Sequence, residues 1–185
     1  MSQRVCPWWL GYWLASPVRR WWQDLGSILS PYVREGQVVL EPGPGMGFFT
    51  LDLARRVGPS GRVVAVELQP KMLEVLKRRA AKAGLQERID ARLASAETMG
   101  IGGLGNVIDF TLAFAVVHEF PDAGHFFSEV SAVSKKDAVL LLAEPKGHVK
   151  ESHFKSELDA AFQAGFRLTG RPDIRGSHAA VLNRL

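Results

Sequence analysis

The sequence predicts a doubly wound α/β domain whose sheet is mostly parallel. Two observations support this fold class: short apolar runs alternate with stretches of helical periodicity, and a glycine-rich turn directly follows the first run. Parallel strands are buried on both faces, so they are apolar without interruption. Five such strands are predicted at 38–40, 62–67, 89–93, 107–114 and 138–144, with helices at 48–57, 69–83, 122–134 and 150–164. We expect the strand order 3-2-1-4-5, followed by two short closing strands at 165–168 and 179–182.

The composition predicts one globular domain, residues 1–185, in a reducing compartment. Cys6 is the single cysteine in 185 residues and can form no internal disulfide, which favours a cytoplasmic protein. The net charge of +4 and the pI near 9.5 permit attraction to nucleic acid, to an anionic membrane or to acidic small molecules without choosing among them. Many basic residues fall on the helix at 69–83 and the segment after it, which we interpret as a solvated surface. These residues are Lys71, Lys77, Arg78, Arg79, Lys82, Arg88 and Arg92.

The first 35 residues are predicted to form a tryptophan-rich helical cover that precedes the first strand. All five tryptophans lie in it, at Trp8, Trp9, Trp13, Trp21 and Trp22. The uncharged span 5–18 has 14 residues, which is too short to cross a bilayer, and a second helix is expected from 16 to 30. Three interpretations stay open: a cover over apolar core, a lid on a substrate pocket, or peripheral membrane contact through residues 1–30.

The turn after the first strand has glycines at 43, 45 and 47. Glycines there allow positive φ or close approach of the backbone to a ligand, and the carboxyl end of a strand is where open α/β sheets bind ligands. The turn does not match a dinucleotide fingerprint, because Phe48 stands where a third glycine would let helix and strand pack closely. Glu41 precedes the turn, and Pro44 lacks the backbone N–H that an anion would need. The turn therefore predicts a ligand with a cationic end.

The pattern Glu41-x-Gly43-x-Gly45-x-Gly47 after a strand resembles the first motif of the class I S-adenosylmethionine-dependent methyltransferases. The resemblance implies a Rossmann-like sheet and S-adenosylmethionine as cofactor, a molecule that carries an ammonium and a sulfonium group. It also implies that this motif holds the methionine portion of the cofactor. The cofactor-binding residues predicted in it are Glu41, Pro42, Gly43, Gly45 and Gly47.

The second strand ends on an acid, Glu67, which lies 24 residues beyond Gly43. Acids at about this spacing reach the ribose hydroxyls in nucleotide-binding sheets. The resemblance implies that Glu67 binds the ribose and that Leu68 packs on the adenine. Many relatives read Gly-Asp-Ala-Glu after the third strand, and in this chain Ser95 replaces the acid that accepts from the adenine amino group, which predicts a weaker contact. The remaining predicted cofactor-binding residues are Ser95, Ala96 and Ala113.

His118 follows the fourth strand and is the first candidate for a general base. In the expected strand order this strand end borders the transferable methyl group, and an imidazole with its usual pKa near 6.5 suits deprotonation of a hydroxyl or thiol. His148 and Glu144, after the fifth strand, are second candidates. His118 could instead only line the pocket or cap a turn. A metal shared by His118, His148 and His153 is a further alternative, but their spacing matches no ligand motif, and we predict no metal.

These observations predict methyl transfer from S-adenosylmethionine to a small-molecule acceptor by direct displacement. By the resemblance, nucleic-acid amino methyltransferases hold a flipped base with an Asn/Asp-Pro-Pro-Tyr/Phe element, and its absence here argues against nucleic acid. Three alternatives stay open. They are a cofactor-binding module without catalysis, a methyltransferase acting on RNA or protein, and a membrane-located enzyme with a lipid or quinone-like acceptor.

Overall fold

The computed structural model describes residues 25–185. The predictions for Cys6, the tryptophans and the first helix lie outside these residues. The second predicted helix enters the described part of the chain as α1 (Leu25–Leu29), with Leu25, Ile28 and Leu29 buried as their spacing predicts. Within residues 25–185, no helix is long and apolar enough to cross a membrane.

Seven strands form a mixed sheet that matches the predicted α/β class. They are β1 (Val38–Pro42), β2 (Arg62–Glu67), β3 (Ile89–Leu93), β4 (Ile108–Phe114), β5 (Ser134–Pro145), β6 (Phe166–Gly170) and β7 (Ser177–Arg184). Their order, β3-β2-β1-β4-β5-β7-β6, confirms the predicted order 3-2-1-4-5 with two closing strands. The closing strands are antiparallel, since β7 pairs with β5 and β6 pairs with β7 in that sense.

Strand β5 begins four residues before the apolar run that predicts it. It starts at Ser134, which pairs with Ile108 before a register shift, and the charged residues that follow are exposed. Asp137 has φ +61 at the point where the buried part of the strand begins. Hydrophobic patterning identifies only the part of a strand that is buried on both faces, so this exposed extension was not predicted.

Four helices connect the strands near the predicted positions. They are α2 (Thr50–Arg56), α3 (Pro70–Lys82), α4 (Ala123–Val133) and α5 (Glu151–Gln163). Pro70 occupies the first turn of α3, where its missing N–H costs no hydrogen bond. Asp122 caps α4, because its Oδ1 accepts the backbone N–H groups of Gly124 at 2.8 Å and His125 at 3.2 Å.

The described chain divides after residue 100 into two compact units. In residues 25–100, β2 pairs in parallel with β1 and β3, and Leu73 and Leu76 of α3 pack on Ala65 of β2. In residues 101–185, β4 pairs in parallel with β5, and the largest fully buried side chains include Phe126 and Phe127 of α4. The prediction of a single domain stays a prediction.

Candidate active site

The glycine-rich turn is held by Glu67 at the carboxyl ends of β1 and β2. The Glu67 Oε2 accepts the Gly45 N–H at 3.0 Å, and Oε1 accepts the Gln69 N–H at 2.9 Å. The Glu67 side chain is buried, and burial raises its pKa while these backbone N–H groups oppose the rise. Each carboxylate oxygen has a second lone pair. Glu67 can therefore hold the turn and still accept hydrogen bonds from a ligand's hydroxyls.

Glu41, near the end of β1, is a buried polar group beside this turn. Its side chain is 3% exposed, and its Oε2 has no hydrogen-bond partner among residues 25–185. Burial raises the Glu41 pKa to about 8, the nearby Thr50 hydroxyl opposes the rise, and the Glu67 charge adds to it. A buried carboxyl without a partner is destabilising, and a cationic group would relieve that cost. Glu41 thus fits the cationic end of the ligand that the turn predicts.

Helix α3 holds the turn from its other side. Gly47 has φ +84, and a Cβ there would lie 2.4 Å from the Leu76 Cδ1, so only glycine fits without movement. The Arg79 guanidinium, three residues further along α3, donates a hydrogen bond to the Met46 carbonyl. This contact was not predicted, although Leu76 and Arg79 stand at i and i+3, a spacing that places both on one helix face.

The interpretation of the basic residues as a solvated surface is wrong for three of them. Besides Arg79, the half-buried Arg88 donates to the Ala54 carbonyl at 3.3 Å, and Arg92 forms an ion pair with Asp90 at 2.8 Å. Carbonyls of the turn and of α2, far away in the sequence, bind Arg79 and Arg88, and a charge pattern along the sequence cannot identify such partners. Asp90, by contrast, lies two residues from Arg92 on the same strand.

Leu68, which is predicted to pack on the adenine, is one of two exposed leucines at neighbouring strand ends. Leu68 is 37% exposed and follows Glu67. Leu93, the register partner of Glu67 on β3, is 56% exposed and was not predicted. Two exposed leucines at adjacent strand ends offer an apolar surface beside the Glu67 carboxylate, which a planar base could cover.

Ser95 and Ala96 lie in an exposed turn after β3. The Ser95 Oγ accepts the N–H groups of Glu97 and Thr98, each at 3.2 Å, so the hydroxyl oxygen is already hydrogen-bonded within the turn. Ala113 is fully buried in β4, within residues 101–185. The adenine contact of Ser95 and the cofactor contacts of Ala96 and Ala113 stay predictions.

A second cluster of polar residues lies where β4 and β5 end. His118 stands in a short 3₁₀ turn, Val117–Glu119, and its side chain is 23% exposed. Its Nδ1 lies 2.5 Å from the Oε2 of Glu144, which is fully buried. A carboxylate can only accept, so Nδ1 carries the hydrogen and Nε2 is left as the basic atom of the neutral ring. The hydrogen bond to Glu144 raises the His118 pKa, and burial opposes the rise.

The Glu144 carboxylate is held in place by backbone donors. Its Oε1 accepts the N–H groups of Val117 at 2.7 Å and Val116 at 3.2 Å. The residue before them, Ala115, has φ +55, a left-handed conformation that is uncommon for a residue with a side chain. Glu144 was a second candidate for the base, but complete burial and three hydrogen bonds suit it to orienting His118 instead.

A second histidine lies beside this pair, and α5 carries another buried carboxyl. The His148 ring is parallel to the His118 ring, with 6.5 Å between their centroids. Glu157 of α5 is buried, and its Oε1 lies 3.3 Å from the Nε2 of the exposed His153. Among residues 25–185, no group of three or more histidine, cysteine, aspartate or glutamate side chains could hold a metal ion.

Comparisons with known proteins agree with this geometry. Residues 34–174 match a family model described as a methyltransferase domain. The chain is 28% identical over 130 residues to a demethylmenaquinone methyltransferase of Lactobacillus johnsonii, covering 66% of this chain and 52% of that protein. It is 32% identical over 63 residues to a tRNA (adenine(57)-N(1)/adenine(58)-N(1))-methyltransferase of Methanocaldococcus jannaschii, covering 34% of this chain and 22% of that protein. The chain thus spans about half the length of these curated relatives or less.

A solved structure shares the fold over nearly its whole length. It is a SAM-dependent methyltransferase from Aquifex aeolicus, with a TM-score of 0.84 and 22% identity, covering 97% of this chain and 98% of that one. That likeness concerns the fold, and the family follows from the match over residues 34–174. This chain belongs to the methyltransferase-domain family, within the class I S-adenosylmethionine-dependent methyltransferases.

Proposed function

We propose that this protein transfers a methyl group from S-adenosylmethionine to a small-molecule acceptor. The observation that supports it best is the arrangement of Glu41 and Glu67 around the glycine-rich turn. Glu67 is hydrogen-bonded to the turn, whereas the buried Glu41 has an oxygen without a hydrogen-bond partner among residues 25–185. A buried carboxyl in this state is stabilised as a carboxylate by a cationic ligand, and the cofactor of this family is cationic.

The residues at this edge match the parts of the cofactor in type. Glu41 would accept from the ammonium group, Glu67 would accept from the ribose hydroxyls, and Leu68 with Leu93 would cover the adenine. The cofactor supplies a methyl group on a sulfonium, which is already activated for direct displacement. Orienting the reactants is then the largest task of the protein, worth about 7–11 kcal/mol in well-aligned systems.

We assign the proton transfer to His118. Its Nε2 takes the proton of the acceptor's hydroxyl or thiol, and the Glu144 carboxylate stabilises the imidazolium that forms. A positioned base of this kind contributes about 10²–10⁴-fold to the rate. The Glu144 hydrogen bond at 2.5 Å favours this role over a histidine that only lines a pocket.

A small acceptor is favoured over RNA by the engagement of the basic side chains. Arg79, Arg88 and Arg92 are bound within residues 25–100, which leaves fewer cations for a phosphate backbone. The relatives carry names that refer to demethylmenaquinone and to tRNA, so the acceptor class is the part of the proposal that needs the most direct test. A cytoplasmic location is part of the same proposal, because Cys6 as the single cysteine fits a reducing compartment.

Cofactor binding is tested by calorimetric titration of S-adenosylmethionine into three variants. Glu41→Lys places a cation against the ligand's cation, and Gly45→Arg adds a side chain at φ +56, so both should weaken binding at least 100-fold. The matched control is Glu74→Lys, which makes the same charge change at an exposed position of α3 and should bind normally. Unchanged affinity in Glu41→Lys and Gly45→Arg would refute the site.

The acceptor class is tested by measuring S-adenosylhomocysteine formation by the wild-type protein. Phenols, thiols and quinols form one panel, and bulk tRNA forms the other. Turnover with a small molecule supports the proposal. Methylation of tRNA alone, with binding that falls steeply as salt is added, would replace it with the RNA-directed function. Cofactor binding without turnover on either panel would favour the non-catalytic module.

A further inference from the structure

The glycine-rich turn, residues 43–47, is held by contacts from outside it. Its three glycines have positive φ, +64 at Gly43, +56 at Gly45 and +84 at Gly47. Glycine has more backbone freedom than any other residue, so a turn with three of them keeps one shape only where other parts of the chain hold it. One such contact comes from β2, where the Val66 carbonyl accepts the Gly43 N–H at 2.9 Å.

A row of side chains on one face of α3 makes further contacts with the turn. The Met72 Sδ lies 3.9 Å from the position of a Cβ at Gly45, and the Leu76 Cδ1 lies 2.4 Å from that of a Cβ at Gly47. Arg79, the polar member of the row, donates to the backbone carbonyl between those two glycines. Residues at i, i+4 and i+7 share one face of a helix, so the packing of α3 and the shape of the turn depend on each other.

Arg79 is the support of the turn that can be removed without removing a proposed ligand contact. Glu67 also supports the turn, because it accepts the Gly45 N–H at 3.0 Å, but Glu67 is itself assigned to the cofactor's ribose. Arg79 binds the Met46 carbonyl from α3 and is assigned to no part of the cofactor. A change at Arg79 therefore alters the support of the turn and keeps the carboxyls that would bind the ligand.

We propose that Arg79 is a positioning residue that keeps the turn in its cofactor-binding shape. A ligand that binds one conformation has its apparent affinity reduced in proportion to the fraction of molecules in that conformation. By joining Met46 to α3, Arg79 raises this fraction before the cofactor arrives. The consequence for S-adenosylmethionine rests on the proposed function, whereas the effect on the turn itself does not.

Arg88 provides a matched control in the same unit. Both arginines are half-buried, and each donates a guanidinium N–H to a distant backbone carbonyl. Arg79 reaches Met46 over 33 positions, and Arg88 reaches Ala54 of α2 over 34 positions, at 3.3 Å. A methionine keeps the unbranched stem and removes the charge and the donors. Arg79→Met and Arg88→Met therefore lose the same kind of contact, but only the first one loses it at the turn.

The first test is amide hydrogen exchange, followed by NMR without cofactor or acceptor. The loss of one charged hydrogen bond should speed exchange of the Gly45 amide in Arg79→Met by about tenfold relative to the wild type. Arg88→Met should leave the Gly45 rate within about twofold of the wild type. The amides of β2 report any general loss of stability, and they should respond alike in both variants. An unchanged Gly45 rate in Arg79→Met would overturn the proposal.

The second test is calorimetric titration of S-adenosylmethionine into the same variants. Arg79→Met should weaken binding about tenfold, because fewer molecules hold the turn ready, whereas Arg88→Met should stay within about twofold. Arg79→Lys should fall between the wild type and Arg79→Met, since lysine keeps the charge but lacks the planar fork of donors. A merely structural role for Arg79 would lower the unfolding free energy and leave the affinity of the folded protein unchanged. Equal affinities in the two methionine variants would contradict the proposal.

Two outcomes need separate treatment. If Arg79→Met does not fold, Arg79→Lys and Arg88→Lys replace the methionine variants in both tests. Faster exchange at Gly45 in Arg79→Lys alone then supports the proposal, and equal rates in the two lysine variants overturn it. If the wild-type protein bound no S-adenosylmethionine, the proposed function would fail, and the exchange rates would still decide whether Arg79 holds the turn.

Discussion

Each of the two units buries a pair of glutamates, but the pairs are satisfied in different ways. In residues 25–100, Glu67 accepts two backbone N–H groups while the Oε2 of Glu41 accepts none. In residues 101–185, Glu144 accepts two backbone N–H groups and pairs with His118, while Glu157 accepts none. Burial raises the pKa of both unsatisfied members, Glu41 and Glu157, to about 8.

The difference lies in what stands beside the unsatisfied carboxyl. Glu41 has another carboxyl, Glu67, as its charged neighbour, and that charge raises its pKa further. Glu157 also has a carboxyl neighbour, Glu144, whose charge raises its pKa, but His118 opposes that rise and the His153 Nε2 lies 3.3 Å from its Oε1. A ligand would have to supply a cation to the first pair, whereas the second pair has histidines in its own unit.

Replacing His118 should have the largest effect on turnover, and it should leave the proposed cofactor-binding residues in 25–100 unchanged. His118→Ala removes the proposed base, so turnover with the acceptor identified for the wild-type protein should fall about 10²–10⁴-fold. Affinity for S-adenosylmethionine should stay within twofold, because Glu41, Glu67 and the turn are unchanged. Steady-state kinetics and calorimetry measure the two effects. If the rate fell by less than threefold, His118 would be a residue that only lines the pocket.

Substitution at Gly47 should destabilise the protein more than substitution at a glycine in open space. Gly47→Ala strains a residue at φ +84 and brings its Cβ within 2.4 Å of the Leu76 Cδ1, so we expect a loss of about 2–5 kcal/mol in unfolding free energy. Gly84→Ala is the matched control, because Gly84, just after α3, has φ +67 and nothing within 4 Å of an added Cβ. It should cost about 1–2 kcal/mol. If urea unfolding gave equal losses of unfolding free energy for the two variants, the Leu76 side chain of α3 would not restrict the residue at position 47.

The unsatisfied carboxyls should make stability fall as pH rises. The pKa values of Glu41 and Glu157 move from 4.5 to about 8 on folding, so between those values the folded state holds protons that the unfolded state releases. The free energy of unfolding therefore decreases from pH 5 to 8. Glu41→Gln or Glu157→Gln should lessen that decrease by about 1–3 kcal/mol, as measured by urea unfolding at both pH values.

Glu144→Gln is the contrasting variant in the same experiment. It removes a carboxylate that His118 and two backbone N–H groups satisfy, so it should destabilise the protein by about 1–3 kcal/mol at pH 8. If all three glutamine variants changed stability in the same direction at pH 8, the distinction between satisfied and unsatisfied members would be wrong.

The smallest effect is expected at Ser95. Its hydroxyl oxygen accepts two N–H groups of its own turn, so little capacity remains for the adenine amino group. Ser95→Ala should weaken S-adenosylmethionine binding by no more than about threefold, or about 0.7 kcal/mol. A tenfold loss in calorimetry, with the turn intact, would show that the hydroxyl contacts the cofactor directly.

Local patterns were sufficient for most of the fold and for part of the cofactor site. The apolar runs predicted all seven strands, and the spacing of the glycines, Glu41 and Glu67 predicted two acids at neighbouring strand ends. Strand order brings the ends of parallel neighbours together, so residues placed there by sequence meet in space. The contact between Gly45 and Glu67, over 22 positions, follows from this rule.

The sequence alone determined which strands form, where the glycine-rich turn stands and which acids follow the strands, because each depends on periodicity or on neighbouring residues. The three-dimensional packing was needed to show that Arg79 holds the turn, that Glu144 is hydrogen-bonded to His118 and that Glu157 is buried. Those contacts join segments that are far apart in sequence, across 33 positions for Arg79 and 26 for His118. Burial and partner choice there are set by how helices pack on the sheet, and no local pattern records that packing.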